Sequence, residues 1–388
     1  MRTLTSAARS LFLLLILCTA ATLPLRAAGE DRVDKLLDLL VQKGVVTADE
    51  ARELKTAVDT PQPTAAPVQA KPDMQINGYL KAQSLWAKNG ATQNMDTFRV
   101  RHARLTFSGS PSPGYSWKFG LGMERTADPV LLDASITYKI SPRYKLTMGQ
   151  FKLPVSRESL QSANTIDLLE RPWFIDQFRP PNARDIGVMV DAKVSKQWNF
   201  ALGVFNGNGK NITDSNDQSL WASRVNGAFS AGKIRFEPEA AFLHSPSERT
   251  PTARNAPVEV SGLAGSAPYD KGEKHWGMAA FYGDYNLKYE YMMGRFKPKS
   301  TALATVLADG EALTLNKKLS KRFAGHARME SYDPNLRTTT AGDINWTTLG
   351  LSFDQQKNIR YDLNYVWKKE AVGGDKNNLL GLQLIVNY

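Results

Sequence analysis

From Met74 to Tyr388, apolar and polar residues alternate with a period of two, in short segments separated by turn residues. Successive side chains of a β-strand point to opposite faces, so this alternation marks strands with one apolar and one polar side. The clearest case is Ile359 to Trp367: Ile359, Tyr361, Leu363, Tyr365 and Trp367 share one face, and Arg360, Asp362 and Asn364 the other. Leu132, Ala134, Ile136 and Tyr138 likewise oppose Asp133, Ser135, Thr137 and Lys139. Trp117, Phe119, Leu121 and Met123 oppose Lys118, Gly120, Gly122 and Glu124. The polar faces carry full charges, which the core of a soluble sandwich does not accept. A barrel that meets lipid outside and water inside does accept them.

The predicted strands lie at 75–88, 95–108, 115–126, 130–140, 143–153, 185–194, 197–206, 220–230, 233–243, 275–284, 286–296, 311–319, 322–332, 345–354, 358–369 and 379–388, which makes 16. An even number is what a single-chain bacterial barrel has. Tight turns at 109–114, 141–142, 195–196, 231–232, 320–321 and 355–357 alternate with long connections at 154–184, 207–219, 244–274, 297–310 and 333–344. Short turns on one side and long loops on the other distinguish the periplasmic from the outer face. The expected fold is therefore all-β, a 16-stranded antiparallel transmembrane β-barrel with a short N-terminal helical segment. The last strand, with Leu380, Leu382, Leu384, Val386 and Tyr388 on one face, resembles the assembly signal of outer-membrane barrels.

Residues 1–28 read as a secretory signal peptide: Arg2 and Arg9, then an apolar run from Leu11 to Leu17, then small residues. Residues 29–59 turn helical, with Val33, Leu36, Leu37, Leu40 and Val41 at three- and four-residue spacing and a capping box at Thr47 and Glu50. They are expected in the periplasm, docked under the barrel or acting as a tether. A Pro/Ala-rich linker occupies 60–73. The one cysteine, Cys18, lies in the signal segment, so the exported chain needs no disulfide. Removing the +3 of residues 1–28 and the −3 of residues 29–73 from the net +11 leaves the whole +11 on 74–388. In an exported membrane barrel such a balance argues for attraction of anions or acidic lipid headgroups and against nucleic acid.

Candidate chemistry is sparse. His102, His244, His275 and His326 are the four histidines, and none stands in a nucleophile setting. His244 and His275 flank a predicted outer loop and read as polar rim residues. No metal-ligand cluster, cofactor motif or catalytic residue is expected, and an enzyme is not. The informative stretch is the 31-residue insert 154–184, which has no sustained period and carries Pro154, Pro172, Pro180 and Pro181. An insert of that length is far outside ordinary loop lengths and is expected to fold into the bore and narrow it.

The same stretch carries a family resemblance. Gly149-Gln150-Phe151-Lys152-x-Pro154, Ser156-x-Glu158-x-Leu160, Glu170-Arg171, Arg184-Asp185-x-Gly187-Val188 and Gly203-Val204-Phe205-Asn206-Gly207-Asn208-Gly209 resemble, in that order, the signature of the phosphate-selective porin O/P family. The resemblance covers about residues 74 to 388. It implies a homotrimeric porin in the outer membrane of a Gram-negative bacterium, passing small anions such as phosphate or polyphosphate. A general porin, or a barrel that anchors the envelope, remains as the alternative reading.

Parity places Lys118, Lys139 and Lys145 on the lumen side, and the insert adds Arg157 and Arg171. Lumen-facing charges of the two signs nearly balance, so selectivity depends on whether they are segregated across the bore. The insert's Glu158, Asp167 and Glu170 are placed to hold it by ion pairs, across from Arg104, Lys118, Lys139 and Lys145. The run Phe98-Arg99-Val100-Arg101-His102-Ala103-Arg104-Leu105 resembles the arginine-rich second strand of that family, whose arginines line the pore. Parity set by Leu105 and Phe107 puts Arg104 inside and Arg99 and Arg101 outside. A β-bulge near 102–103 would bring all three inside; otherwise Arg99 and Arg101 sit at the headgroup rim or in a subunit interface.

Overall fold

The computed structural model describes residues 49, 74–89, 93–123, 129–178, 184–214, 218–248, 269–299, 304–337, 343–370 and 378–388. The signal peptide, the linker and all of the helical segment except Asp49 lie outside the described residues.

Seventeen strand segments run in chain order. They are β1 (Gln75–Asn89), β2 (Gln93–Ser112), β3 (Tyr115–Met123), β4 (Val130–Lys139), β5 (Tyr144–Lys152), β6 (Arg184–Lys193), β7 (Trp198–Phe205), β8 (Leu220–Gly227) and β9 (Phe229–Ala231). The rest are β10 (Ile234–Glu248), β11 (Tyr269–Tyr282), β12 (Tyr285–Pro298), β13 (Val306–Lys318), β14 (Phe323–Asp333), β15 (Ile344–Gln356), β16 (Ile359–Glu370) and β17 (Leu379–Asn387). β8 and β9 both pair with β10 and form one stave interrupted at Ala228, so the barrel has 16 staves. Every pairing is antiparallel, and β1 closes the sheet by pairing with both β2 and β17. Gly78 and Tyr388 exchange two backbone hydrogen bonds of 3.0 Å at the seam. Closure leaves no sheet edge, which a lipid environment requires.

Three of the tight turns use the same device. Ser141, Ser195 and Ser320 each precede an aromatic residue by three positions, Tyr144, Trp198 and Phe323. Each serine Oγ accepts the backbone N–H of the residues two and three places on, at 3.0 to 3.2 Å. The short side chain thus satisfies the turn's orphan donors, and the aromatic opens the next strand at the barrel rim. Stacked or edge-on aromatic pairs continue around that end, as in Tyr115–Tyr138, Trp198–Phe229 and Phe323–Phe353.

Outward positions are apolar and exposed, among them Ile136, Met148, Leu287, Leu313, Leu349 and Leu363. Inward positions are polar and packed, among them Lys81, Gln83, Lys288, Glu290, Arg328, Asp362 and Gln383. Part of the inward set forms a continuous hydrogen-bonded chain along the wall. Gln83 donates to Gln383 (2.7 Å), Gln383 to Asp362 (2.7 Å), and Ser352 to Asp362 (2.6 Å). His326 then bridges Ser352 (2.9 Å) and Asn316 (2.7 Å).

Inside the upper part of the barrel lies an apolar cluster that a hollow pore would lack. Phe151, Leu153, Val155, Phe174, Ile175, Phe178, Phe205, Leu243, Met292, Phe296 and Tyr332 are all buried there. It exists because the chain between β5 and β6 does not leave the barrel mouth.

Candidate functional site: the insert and the wall it faces

The insert carries two short helices, α1 (Arg157–Leu160) and α2 (Trp173–Phe178). Ser156 caps α1 at a φ of 64°, its Oγ accepting the Ser159 N–H at 3.1 Å. On its apolar side the insert buries Val155, Ile166, Leu168, Leu169, Phe174, Ile175 and Phe178. The wall makes room with glycines. A Cβ on Gly310 would lie 2.4 Å from the Phe174 Cβ, and one on Gly381 2.4 Å from a Leu169 methyl. These two positions require glycine because the insert's side chains approach the wall's backbone there. Burying Phe174, Ile175 and Phe178, at roughly 2 kcal/mol each, gives the inward conformation on the order of 6 kcal/mol of apolar driving force.

A segment without a ladder must find partners for its carbonyls. Wall cations supply them. Lys81 donates to the Ala163 and Leu169 carbonyls (3.2 and 2.9 Å), and Lys152 to those of Ser159, Leu160 and Gln161 (2.8, 3.0 and 2.9 Å). Arg328 reaches the Glu170 carbonyl (2.9 Å), Arg360 that of Ile166 (2.8 Å), and Lys271 that of Phe178 (2.8 Å).

Acid–base contacts fix the rest. On one side, Lys288 pairs with Asp167 and lies 3.4 Å from Glu158, while Glu290 accepts Ser156 Oγ (2.8 Å) and the Glu158 N–H (2.9 Å). Arg157 bonds Glu237 at 2.5 Å, and Glu330 accepts the Trp173 N–H at 2.7 Å. On the opposite side Glu170 is a hub. It accepts Arg101 Nε and Nη2 at 2.7 and 2.8 Å and Arg99 Nη2 at 2.9 Å. Burial alone would raise the Glu170 carboxyl, but Arg101, then Lys81 and Arg99, outweigh it and hold the group well below the usual carboxylate range. Glu158 moves the other way. Burial, with Glu290 and Asp167 close by, lifts it above the usual range against the pull of Lys288. The insert's acids thus divide: Glu158 and Asp167 turn to β12, and Glu170 to the arginines of β2.

The register of β2 explains its arginines. Lys81 faces His102 but Ala82 faces Val100, so Arg101 is an extra residue, a bulge one place before the expected 102–103. Phe98 and Val100 point outward, 86% and 54% exposed, while Arg101, His102 and Arg104 are buried inside. Arg99, Arg101 and Arg104 therefore all face inward, not the headgroup rim or a neighbouring subunit. Arg104 sits over the Tyr79 ring, 5.8 Å from its centroid.

Beyond β2 the wall continues with basic residues. Arg184 grips Asp133 with two hydrogen bonds (2.9 and 3.1 Å), and Lys118 lies 3.3 Å from the same carboxylate. Lys139 and Lys145 stand opposite each other on β4 and β5, exposed, with Asp191 next in the row. They lie near the turn end of the barrel, below the insert. Arg171 is used by the insert itself, donating to the Glu158 and Gln161 carbonyls (both 2.6 Å). Loop residue Lys210 reports the local field: burial, then Arg184 and Arg104, push its ammonium below its usual value. Lys81, Arg99, Arg101, Arg104, Lys118, Lys152, Arg171 and Arg184 thus collect on the side of β1 to β6, against Glu170, Asp133 and Asp185. On the side of β10 to β14, Glu158, Asp167, Glu237, Glu239, Glu273, Glu290 and Glu330 face Arg157, Arg224, Arg235, Lys271, Lys288 and Arg328. That side is nearly balanced, so the positive excess lies on the side of β1 to β6.

Some of this is absent from the sequence reading. Lys81 and Gln83 stand opposite Leu80 and Trp86, so parity could have found them. β11 begins at Tyr269, inside the expected outer loop 244–274, which turns Lys271, Glu273 and His275 inward. His275 is not a rim residue: it is 2% exposed and lies 3.7 Å from Glu239 and 3.4 Å from Glu290.

The family model described as phosphate-selective porin O and P matches residues 77–321. An anion-selective porin from Comamonas acidovorans superimposes with a TM-score of 0.60 at 12% identity, over 82% of this chain and 99% of that one. OmpT of Vibrio cholerae, in-vitro folded and in trimer form, gives 0.57 at 10% identity, over 81% and 99%. An uncharacterised protein of Aquifex aeolicus (strain VF5) is 24% identical over 179 residues, which are 41% of this chain and 42% of that relative, so the chain spans less than half of that relative's length.

Proposed function

Since the chain belongs to the phosphate-selective porin O and P family, we propose that it is a passive outer-membrane channel for small anions of the phosphate class. The observation that carries this reading is the excess of positive charge on the β1 to β6 side of the insert. An ion passing between the insert and the wall of β2 to β6 meets Arg99 and Lys118, in the field of the buried Arg101 and Arg104, on the way to Lys139 and Lys145. A water-filled gap between low-dielectric walls focuses that field on the permeating ion. Arg99 and Arg101 are held by Glu170, and Lys118 and Arg184 share Asp133, so each site attracts an anion without trapping it. Conduction needs this balance of attraction and release.

The subunit is proposed to work as a homotrimer, as in the trimer form of OmpT. Asp309 and Glu311 point outward from the middle of β13, bonded to the hydroxyls of Tyr291 (3.1 Å) and Tyr289 (2.6 Å). Carboxylates are unfavourable against lipid, and a neighbouring copy would cover them. Anion selectivity is tested by reversal potential in a salt gradient across a planar bilayer. The unaltered channel should prefer anions, and Arg104→Glu combined with Lys139→Glu should move the potential toward cation preference. A channel that prefers cations from the start, or a potential that does not move, leaves a general porin in its place.

A further inference from the structure

Glu239 on β10, His275 on β11 and Glu290 on β12 stand side by side on three adjacent staves, all facing inward and all buried. One ligand atom from each lies within 4.8 Å of the other two. His275 Nε2 is 3.4 Å from Glu290 Oε2 and 3.7 Å from Glu239 Oε1, yet among the described residues neither ring nitrogen makes a hydrogen bond. A buried imidazole at ion-pair distance from two carboxylates, in hydrogen-bond geometry with neither, leaves a ligand position between the three.

We propose that Glu239, His275 and Glu290 form a divalent-cation site of the zinc class that pins the start of the insert to the barrel wall. Zinc–nitrogen and zinc–oxygen bonds of about 2.0 to 2.2 Å at tetrahedral angles put neighbouring ligand atoms about 3.3 to 3.6 Å apart. The two histidine–carboxylate spacings match those edges to within about 0.1 Å. Two carboxylates and a neutral imidazole are the borderline and hard donors such an ion takes, and three protein ligands leave a fourth position for water. The carboxylates are already oriented from behind. Glu239 Oε1 accepts the Arg157 N–H at 2.7 Å, and Arg224 holds its Oε2. Glu290 Oε2 accepts Ser156 Oγ at 2.8 Å, and its Oε1 the Glu158 N–H at 2.9 Å. Each carboxylate oxygen has a second lone pair, so a cation adds to these bonds without displacing them. Because the orienting groups are residues 156 to 158, the bound ion would couple β10, β11 and β12 to the first turn of the insert.

The test uses the untagged, folded barrel in detergent, stripped with chelator and titrated with Zn2+ alone near neutral pH. One ion per chain should bind to the unaltered protein. His275→Gln and Glu290→Gln should each weaken binding at least tenfold, while His244→Gln should leave it unchanged. A second measurement needs no variant. Crystals of the unaltered protein soaked in zinc salt should show an anomalous peak within bonding distance of His275 Nε2 and both carboxylates. Absence of that peak, or equal affinity in the unaltered protein and His275→Gln, overturns the proposal.

Discussion

Replacing Glu170 with glutamine isolates the charge of the hub from its shape. The amide keeps one oxygen for Arg101 or Arg99 and removes one negative charge from a group contacting both arginines at 2.7 to 2.9 Å. The cluster of Lys81, Arg99, Arg101 and residue 170 then gains one positive charge. For an ion passing about 6 Å away in water, one unit charge is worth about 0.7 kcal/mol, and about 0.4 kcal/mol after screening in 0.1 M salt. That is about twofold for an anion and about twofold in the opposite sense for a cation, hence about fourfold in their permeability ratio. The Glu170 side chain is 35% exposed, so the screened figure is the appropriate one. Reversal potentials of the two channels in the same KCl gradient measure the ratio directly. A ratio that stays constant or falls, in a barrel still heat-modifiable on gels, would refute the idea that these arginines face the permeating ion.

Glu170 also predicts a pH profile. A carboxyl depressed on folding contributes its full stabilisation above the unfolded value of about 4.3 and loses it as pH falls through the folded one. The difference in melting temperature between the unaltered protein and Glu170→Gln should stay level from about pH 8 to about pH 5 and shrink only in stronger acid. Glu158, raised on folding, has the opposite sign: Glu158→Gln should be at least as stable as the unaltered protein at neutral pH, and that advantage should vanish as acid protonates Glu158. Gly310→Val should evict Phe174, at a cost of about 2 to 3 kcal/mol of burial, and raise single-channel conductance. An unchanged conductance in the folded variant would mean that α2 does not set the width of the passage.

The wall was legible because lipid outside and water inside impose one simple code, which Ile359 to Tyr365 follow without exception. The code fails where that contrast ends. Around Asp270, Gly272 and Lys274 the outward face of β11 is no longer apolar, so 269–274 read as loop and its inward partners Lys271, Glu273 and His275 were lost with it. Bulges are a second blind spot. Arg101 and Leu132 each break register by one residue, which parity counted from a distance assigns to the wrong face. The insert's presence could be read from its length and prolines, but not its partners. Asp167 finds Lys288, a residue 121 positions later, because the barrel closes, and no local pattern encodes that.

The bulge at Arg101 decides how β2 can change over evolutionary time. A strand of fixed register cannot gain or lose one residue without turning every later side chain over, so ordinary positions in a barrel wall tolerate substitution but not single-residue length change. At 101 the rule is suspended. Val100 and His102 already occupy opposite faces, and a chain lacking the residue between them would keep Phe98 and Val100 outside and His102 and Arg104 inside. One arginine of the cluster can thus be added or deleted as a unit, leaving the rest of the barrel as it was. Among related channels, a one-residue gap in an alignment at this point would record a change in the number of arginines beside the insert, not an error of alignment.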